Sequence, residues 1–581
     1  MWLLPLTGLV ALIWFLIRVL PKPGRAAYPC QRVAQPLAAG FVVWVLGLVS
    51  SLAAYRRARL RFRQSRYALG AACLAVALVA IYWPVSVTLD QQSQAAPFIP
   101  VDAANTQIGV AKGLHPGRVV WVYDPTLCDQ NGTSGPWWED RRTDPNVAHR
   151  MMARAILNLT GIADQAQAWD ALFRSFNRTR ANEDIGYQAG DRVAIKVNNI
   201  FSRAYRWSSS QSVNSPCPQM LHALLRQLVE VAGVPDGDIT VYDCIFYHGD
   251  PVYAYCHRDF PGVQFAEGDA TDRSGYQGGP GADPGERVKV VADPNARVYY
   301  GDPGLVIDSG LACLPTVVSQ AKYLINCSLP RPHTDLAGVT LCAKNLFGSI
   351  WHPNHWSQYH GWNPEFMHAA VAAYDFGSVK ARPMGSYNAL VDLMGHQDLG
   401  GKTILFLSEC LRRRWPSPPF DGGLTSSLFV SQDGVAIDSV LLDLLRSEES
   451  KDVKEGSIEN YLHEAALANH PPSGTSYDPE GDGTPLESLG VHEHWNNPVH
   501  RQYSRNLGTG EGIELIQSLA ILALPGDIEP DGDVDLEDLG ILASHWLESD
   551  QPGCLADLDG DRDVDLGDLA ILAQSWRMRM R

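Results

Sequence analysis

The stretch Arg192-Val193-Ala194-Ile195-Lys196-Val197-Asn198-Asn199 is an apolar run that stops on an amine and two amides. A short run of this kind, rich in β-branched residues, predicts a buried strand with polar groups at its C-terminal end. The same pattern spreads outward on both sides. Upstream, Arg118–Tyr123 (Arg-Val-Val-Trp-Val-Tyr) predicts a strand, and Met151, Met152, Ala155, Ile156 and Leu159 form one helical stripe over Ala148–Leu159. Downstream, Pro218–Ala232 predicts an amphipathic helix with Met220, Leu221, Leu224, Leu225, Leu228 and Val231 on one face. Ile239–Tyr242 then predicts a strand closing on Asp243, and Ala321–Asn326 and Thr403–Leu407 predict two more. Strands alternating with helices imply an α/β class: a mostly parallel sheet flanked by helices. In such sheets ligands bind beyond the strand C-termini, where Lys196, Asn198, Asn199 and Asp243 all fall.

Four ordered blocks of this region resemble the domain of unknown function 362 family. Ala194-Ile-Lys-Val-Asn-Asn199 is similar to its strand-ending "IKPN" element, and Ser215–Asp243 to the helix and strand that follow. Pro330-Arg-Pro-His-Thr-Asp-Leu-Ala-Gly-Val-Thr-Leu-Cys-Ala-Lys-Asn-Leu-Phe-Gly348 looks like the signature "K-THxxxGVTLALKNLFG". Ser431-Gln-Asp-Gly-Val-Ala-Ile-Asp438 resembles the later "DPVAvDsv" element. Arg331 stands where a lysine is common, and the cysteine-rich extension of some relatives is missing. The resemblance spans roughly residues 110–450 and implies a fold and a candidate site, but no reaction, because the family has no settled activity. Lys196, Asn198, Asp243, His333, Lys344 and Asn345 are expected to converge there. Such a set binds an anionic group or moves protons, and a lysine of lowered pKa forms Schiff bases. The same residues also suit a buried, purely structural loop.

Trp351-His352-Pro-Asn-His355-Trp356-Ser-Gln-Tyr359-His360-Gly-Trp362 mixes histidines with aromatics. Pro353 interrupts helical spacing and no carboxylate follows before Glu365, so a packed loop is favoured over a metal site or a sugar-stacking platform. The chain has no Gly-x-Ser-x-Gly elbow, His-Glu-x-x-His pair or Walker loop.

The most specific motif is a C-terminal duplication. Asp527-Ile-Glu-Pro-Asp-Gly-Asp-Val-Asp-Leu-Glu-Asp538 aligns with Asp557-Leu-Asp-Gly-Asp-Arg-Asp-Val-Asp-Leu-Gly-Asp568. Acidic residues alternate through each loop and a last Asp closes it, which is EF-hand spacing. The candidate calcium ligands are Asp527, Glu529, Asp531, Asp533 and Asp538 in the first copy, and Asp557, Asp559, Asp561, Asp563 and Asp568 in the second. Each loop is followed by one helix, with Leu539/Leu569, Leu542/Leu572 and Trp546/Trp576 at matching places. A loop and a single helix, given twice, resembles a type I dockerin, a small all-α calcium module, and implies Ca2+ and a cohesin-like protein partner. Arg562 replaces a preferred turn glycine, and Pro530 stiffens the first loop.

At 581 residues the chain is too long for one core. Its net charge of -17 argues against binding to a nucleic-acid backbone, which needs a basic face. The 11 cysteines show no Cys-x-x-Cys pair, which argues against a zinc ribbon or an iron–sulfur cluster. Residues 2–20, 36–55 and 67–87 are apolar and each about the ~20 residues that cross a bilayer, so they predict three transmembrane helices. Arginines at 56, 57, 59, 61, 63 and 66 place the second loop in the cytoplasm and the rest outside a bacterial inner membrane. The expected order is an anchor at 1–89, a linker at 90–105, an α/β domain at 106–515, a linker at 516–526 and the calcium module at 527–581. Two function classes follow. One is an envelope enzyme using the Lys/His/Asn/Asp pocket. The other is a non-catalytic domain that binds a small molecule or saccharide and docks through the calcium module to a cohesin-like or polysaccharide-associated partner.

Overall fold

The computed structural model describes Arg56, Arg57, Arg59 and Gln64, most of residues 102–519, and parts of 526–576. Within 102–519 it leaves out 129–135, 200–204, 208–214, 269–284, 302–310, 334–337, 352–371, 376–377, 412–425, 448–455 and 509. The chain divides into two compact units, Met1–Pro97 and Phe98–Arg581.

One expectation needs correcting. Among the described residues no helix is long and apolar enough to cross a membrane, and those residues from 102 to 519 form an α/β unit. The stretches 2–20, 36–55 and 67–87 lie outside the described residues, while Arg56, Arg57 and Arg59 are helical and exposed. The expectation rested on the length and hydropathy of these stretches and on the arginine-rich loop between the second and third, none of which observes a helix directly.

The second unit is built on a nine-stranded mixed sheet. Its strands, in chain order, are β1 (Arg118–Tyr123), β2 (Val193–Lys196), β3 (Ile239–Asp243), β4 (Gln264–Glu267), β5 (Val288–Lys289), β6 (Tyr323–Ser328), β7 (Thr403–Cys410), β8 (Ser427–Ser431) and β9 (Glu514–Leu519). They lie in the order β9-β1-β8-β7-β6-β2-β3-β4-β5. All neighbours pair in parallel except β8, which runs antiparallel to both β7 and β1.

Both faces of the sheet are covered, which is why its strands read as continuous apolar runs rather than alternating ones. In β1, Val120 and Val122 enter one core and Val119 and Trp121 the other. The first core takes α1 (Pro145–Thr160), α2 (Gln165–Ala181) and α3 (Pro218–Arg226). α1 starts where Asp144 accepts the Asn146 and Val147 N–H groups and ends on Gly161 at φ 67, a conformation glycine adopts without strain. α3 is shorter than the predicted helix because Gln227–Val231 opens into a π turn. There Gln227 accepts from Trp169 Nε1 at 3.0 Å and donates to Gln165 Oε1 at 2.7 Å. The opposite face carries α4 (Cys342–Asn345), α5 (Gly434–Ser447) and α6 (Asn460–Ala466).

At the C-terminus, α7 (Leu536–Ser544) and α8 (Leu566–Ser575) share a small core of Ile528, Val534, Leu542, Ala556, Val564 and Leu572.

Candidate functional site

Lys196 closes β2 on the same face as Ala194, the face that α4 covers. The amine is buried, donates to the Val197 carbonyl at 2.6 Å and stands 3.3 Å from Asp243 Oδ2 at the end of β3. A Cβ on Gly348 would sit 3.3 Å from Lys196 Nζ, so the glycine leaves room for the lysine head. Asp243 also ties down the backbone beyond both strands. Its Oδ2 accepts from Asn199 N at 3.0 Å, and its Oδ1 from Ile245 N at 2.9 Å and Phe246 N at 3.1 Å.

Asn345 reaches the same strands from above. Its Nδ2 donates to Asn326 Oδ1 at 2.7 Å and to the Cys327 carbonyl at 3.0 Å, and lies 3.5 Å from the Lys196 carbonyl. Asn326, the register partner of Lys196 on β6, donates in turn to the Cys342 carbonyl at 2.9 Å. The polar row continues through Ser328 and Ser408, 2.6 Å apart. α4 is anchored from α5: Asp438 accepts the Cys342 and Ala343 N–H groups at 2.8 and 2.9 Å and the Tyr461 hydroxyl at 3.1 Å. Burial raises the Asp438 carboxyl to about 6 against these hydrogen bonds.

Lys344 precedes Asn345 on α4 and is buried. Burial holds its amine well below the ordinary lysine range, and the Arg331 guanidinium pushes it the same way. Burial therefore favours the neutral form of the amine, the form that acts as a nucleophile and a base. Thus Lys196, Asp243 and Asn345 are joined by direct contacts, whereas Lys344 is the chain neighbour of Asn345 on α4 and the charge acting on its amine is that of Arg331. Asn198 is buried next to the junction, but the amide that enters it is Asn199. His333 lies on the hairpin Arg331–His333/Gly338–Thr340, paired with Gly338, and its side chain lies outside the described residues. So do His352, His355 and His360.

Sequence reasoning missed His248. Asn199 Nδ2 lies 3.1 Å from His248 Nδ1, while His248 Nε2 lies 2.9 Å from the Ala266 carbonyl. Since the carbonyl only accepts, Nε2 carries the proton and Nδ1 accepts from Asn199. Burial lowers the ring to about 4 and keeps it neutral. Its position just past β3 was the available signal. Also missed were His463, His492 and His494, which the fold brings together; the alternation His492-Glu493-His494 is their trace in the sequence.

In the C-terminal repeat, Asp527, Glu529, Asp531, Asp533, Asp559 and Asp561 lie outside the described residues. The described positions behave alike in both copies. Asp538 and Asp568 are fully buried, and each accepts through Oδ1 the N–H of the residue ten places earlier, Ile528 and Leu558. Val534 and Val564, at matching places in the two copies, are buried. The second loop is also held from outside: Val564 donates to the Glu548 carbonyl at 2.9 Å and accepts from Leu547 N at 2.9 Å. Asp557 is half-buried and Asp563 exposed. Two buried carboxylates closing acidic loops fit a hard cation, which takes oxygen ligands. Trp576 packs on the small core, whereas Trp546 is 36% exposed and stays outside it.

Compared with protein-family models and with curated proteins, the sequence matches neither a family model nor a curated relative.

Proposed function

We propose that this chain joins an α/β enzyme domain to a calcium-dependent docking module. The observation that carries the docking part is the twofold loop closure by Asp538 and Asp568, each buried and each bonded to the second residue of its own loop. Bringing several carboxylates together without a cation is repulsive. Calcium removes that repulsion and couples folding of the module to metal binding. Weak sites suffice where calcium is abundant, so the module works outside the cytoplasm, with a cohesin-like protein as its partner. Calcium titration of the full chain tests this, and unchanged helicity and no calcium uptake would sink it.

The enzyme part rests on Lys344, a buried amine whose pKa burial lowers, next in the chain to Asn345, which joins Lys196 and Asp243 at strand C-termini. Its substrate class is a small anionic carbonyl compound, for which Lys344 is the nucleophile and Lys196 the fixed positive charge. Trapping with a small keto acid and borohydride, followed by peptide mapping, tests the assignment. Lys344 should be the lysine reduced onto the probe. Labelling spread evenly over surface lysines would instead favour a non-catalytic binding domain.

A further inference from the structure

Away from the strand-end network, three histidines from two parts of the chain meet. His463 lies in α6, and His492 and His494 lie in and just after the short strand Val491–His492, which pairs with Ile108–Gly109. The His463 and His492 rings are 5.0 Å apart, and so are those of His492 and His494. The ligand atoms of Asp102, His463 and His492 all lie within 4.8 Å of one another, as do those of Glu459, His492 and His494.

His492 is the pivot. It is fully buried, and its Nδ1 lies 2.8 Å from Ser439 Oγ. Ser439 spends its own proton on the Val435 carbonyl at 2.7 Å, so its oxygen accepts and His492 Nδ1 donates. The lone pair is thereby placed on Nε2, which has no hydrogen-bond partner. His463 Nε2 has none either, although Asp102 Oδ2 is 2.9 Å away. These two atoms are close without being aligned to bond each other. A buried polar atom left this way is costly, and a shared cation would recover that cost. An imidazole whose far nitrogen is held by a fixed oxygen is also how ligating histidines are oriented.

We propose that Asp102, His463 and His492 hold a divalent transition-metal ion of the zinc class. Two imidazoles and one carboxylate are borderline donors that suit zinc rather than calcium or magnesium, and they leave a coordination position open. The far side of His492 is already braced. His494 Nδ1 lies 2.7 Å from Asp443 Oδ1, and Glu459 is ion-paired to Arg446 at 2.5 Å. Ser439 acts as a positioning residue.

The test uses the full chain, stripped with a chelator and returned to calcium-containing buffer so that the C-terminal loops are filled. Cobalt is then titrated in, followed by its visible absorption and by metal analysis. One cobalt ion per chain is expected, displaced by zinc and lost in Asp102→Asn and in His492→Ala. Ser439→Ala keeps the site but weakens it roughly 10- to 100-fold. Asp102 is partly exposed, with its side chain 28% accessible, so that variant remains informative if His492→Ala fails to fold. Failure of the parent chain to take up cobalt or zinc would overturn the proposal. So would full occupancy in both Asp102→Asn and His492→Ala.

Discussion

Lys196 and Asp243, 47 residues apart in the chain, meet at 3.3 Å across the ends of neighbouring parallel strands with both side chains buried. Removing one member of a buried ion pair strands the other charge, at a cost of about 3–5 kcal/mol. Lys196→Met should lose about that much stability in urea unfolding. The double variant Lys196→Met/Asp243→Asn should recover part of the loss, because the uncompensated charge is gone. A Lys196→Met loss below about 1 kcal/mol would mean that Asp243 is satisfied by the Asn199, Ile245 and Phe246 N–H groups alone.

Lys344 makes a prediction of opposite kind. Its folded pKa is depressed, so the unfolded chain binds the extra proton, and its contribution to stability is full above the unfolded value and lost as pH falls. At neutral pH the buried amine is therefore a burden. Lys344→Met should stabilise the chain near pH 7, and the gain should shrink as pH rises towards ~10.4, the ordinary lysine value. Parallel stability curves for the two proteins would show that Lys344 is an ordinary charged lysine.

Asp438 titrates with the reverse sign. Its folded value is raised to about 6, so between the ordinary carboxylate value and pH 6 the folded state holds the extra proton. Stability should fall across that window as pH rises. Asp438→Asn should flatten this part of the profile relative to the parent. It should also cost about 1–3 kcal/mol at pH 5, since one N–H at the start of α4 loses its acceptor. An unchanged slope between pH 4 and 6 would contradict the assignment.

Five of the nine strands were readable because a strand buried on both faces carries an apolar run through its middle, as Val119–Val122 and Ile404–Leu407 do, whereas Gln264–Glu267, Val288–Lys289, Ser427–Ser431 and Glu514–Leu519 were not foreseen. The strand-end polar residues were readable for the same reason: Lys196 and Asp243 interrupt such runs. What joins them was not. Asp438 holds Cys342 across 96 residues of sequence, and Asn345 reaches Lys196 across 149; neither contact leaves a local pattern. The preference for Asn199 over Asn198 depends on which of them meets Asp243 and His248 beyond the strand, which composition does not reveal. His463 and His492 lack any shared spacing, because a helix and a short strand bring them together only in the fold.

The two repeat tryptophans separate the copies. Trp576 packs on the small core, while Trp546 is exposed. Trp576→Ala should lower the calcium-loaded module's stability by about 1–3 kcal/mol, whereas Trp546→Ala should stay within about 0.5 kcal/mol. Thermal unfolding of each full-length variant at saturating calcium checks the difference, and equal effects would contradict the packing.

The central claim is tested most directly by calorimetric titration of the full chain with calcium. The account predicts two ions per chain, the second loop binding more weakly because Arg562 replaces a turn glycine. Asp538→Ala and Asp568→Ala should each remove one ion. Absence of binding at millimolar calcium, or two ions still bound in both variants, would contradict it.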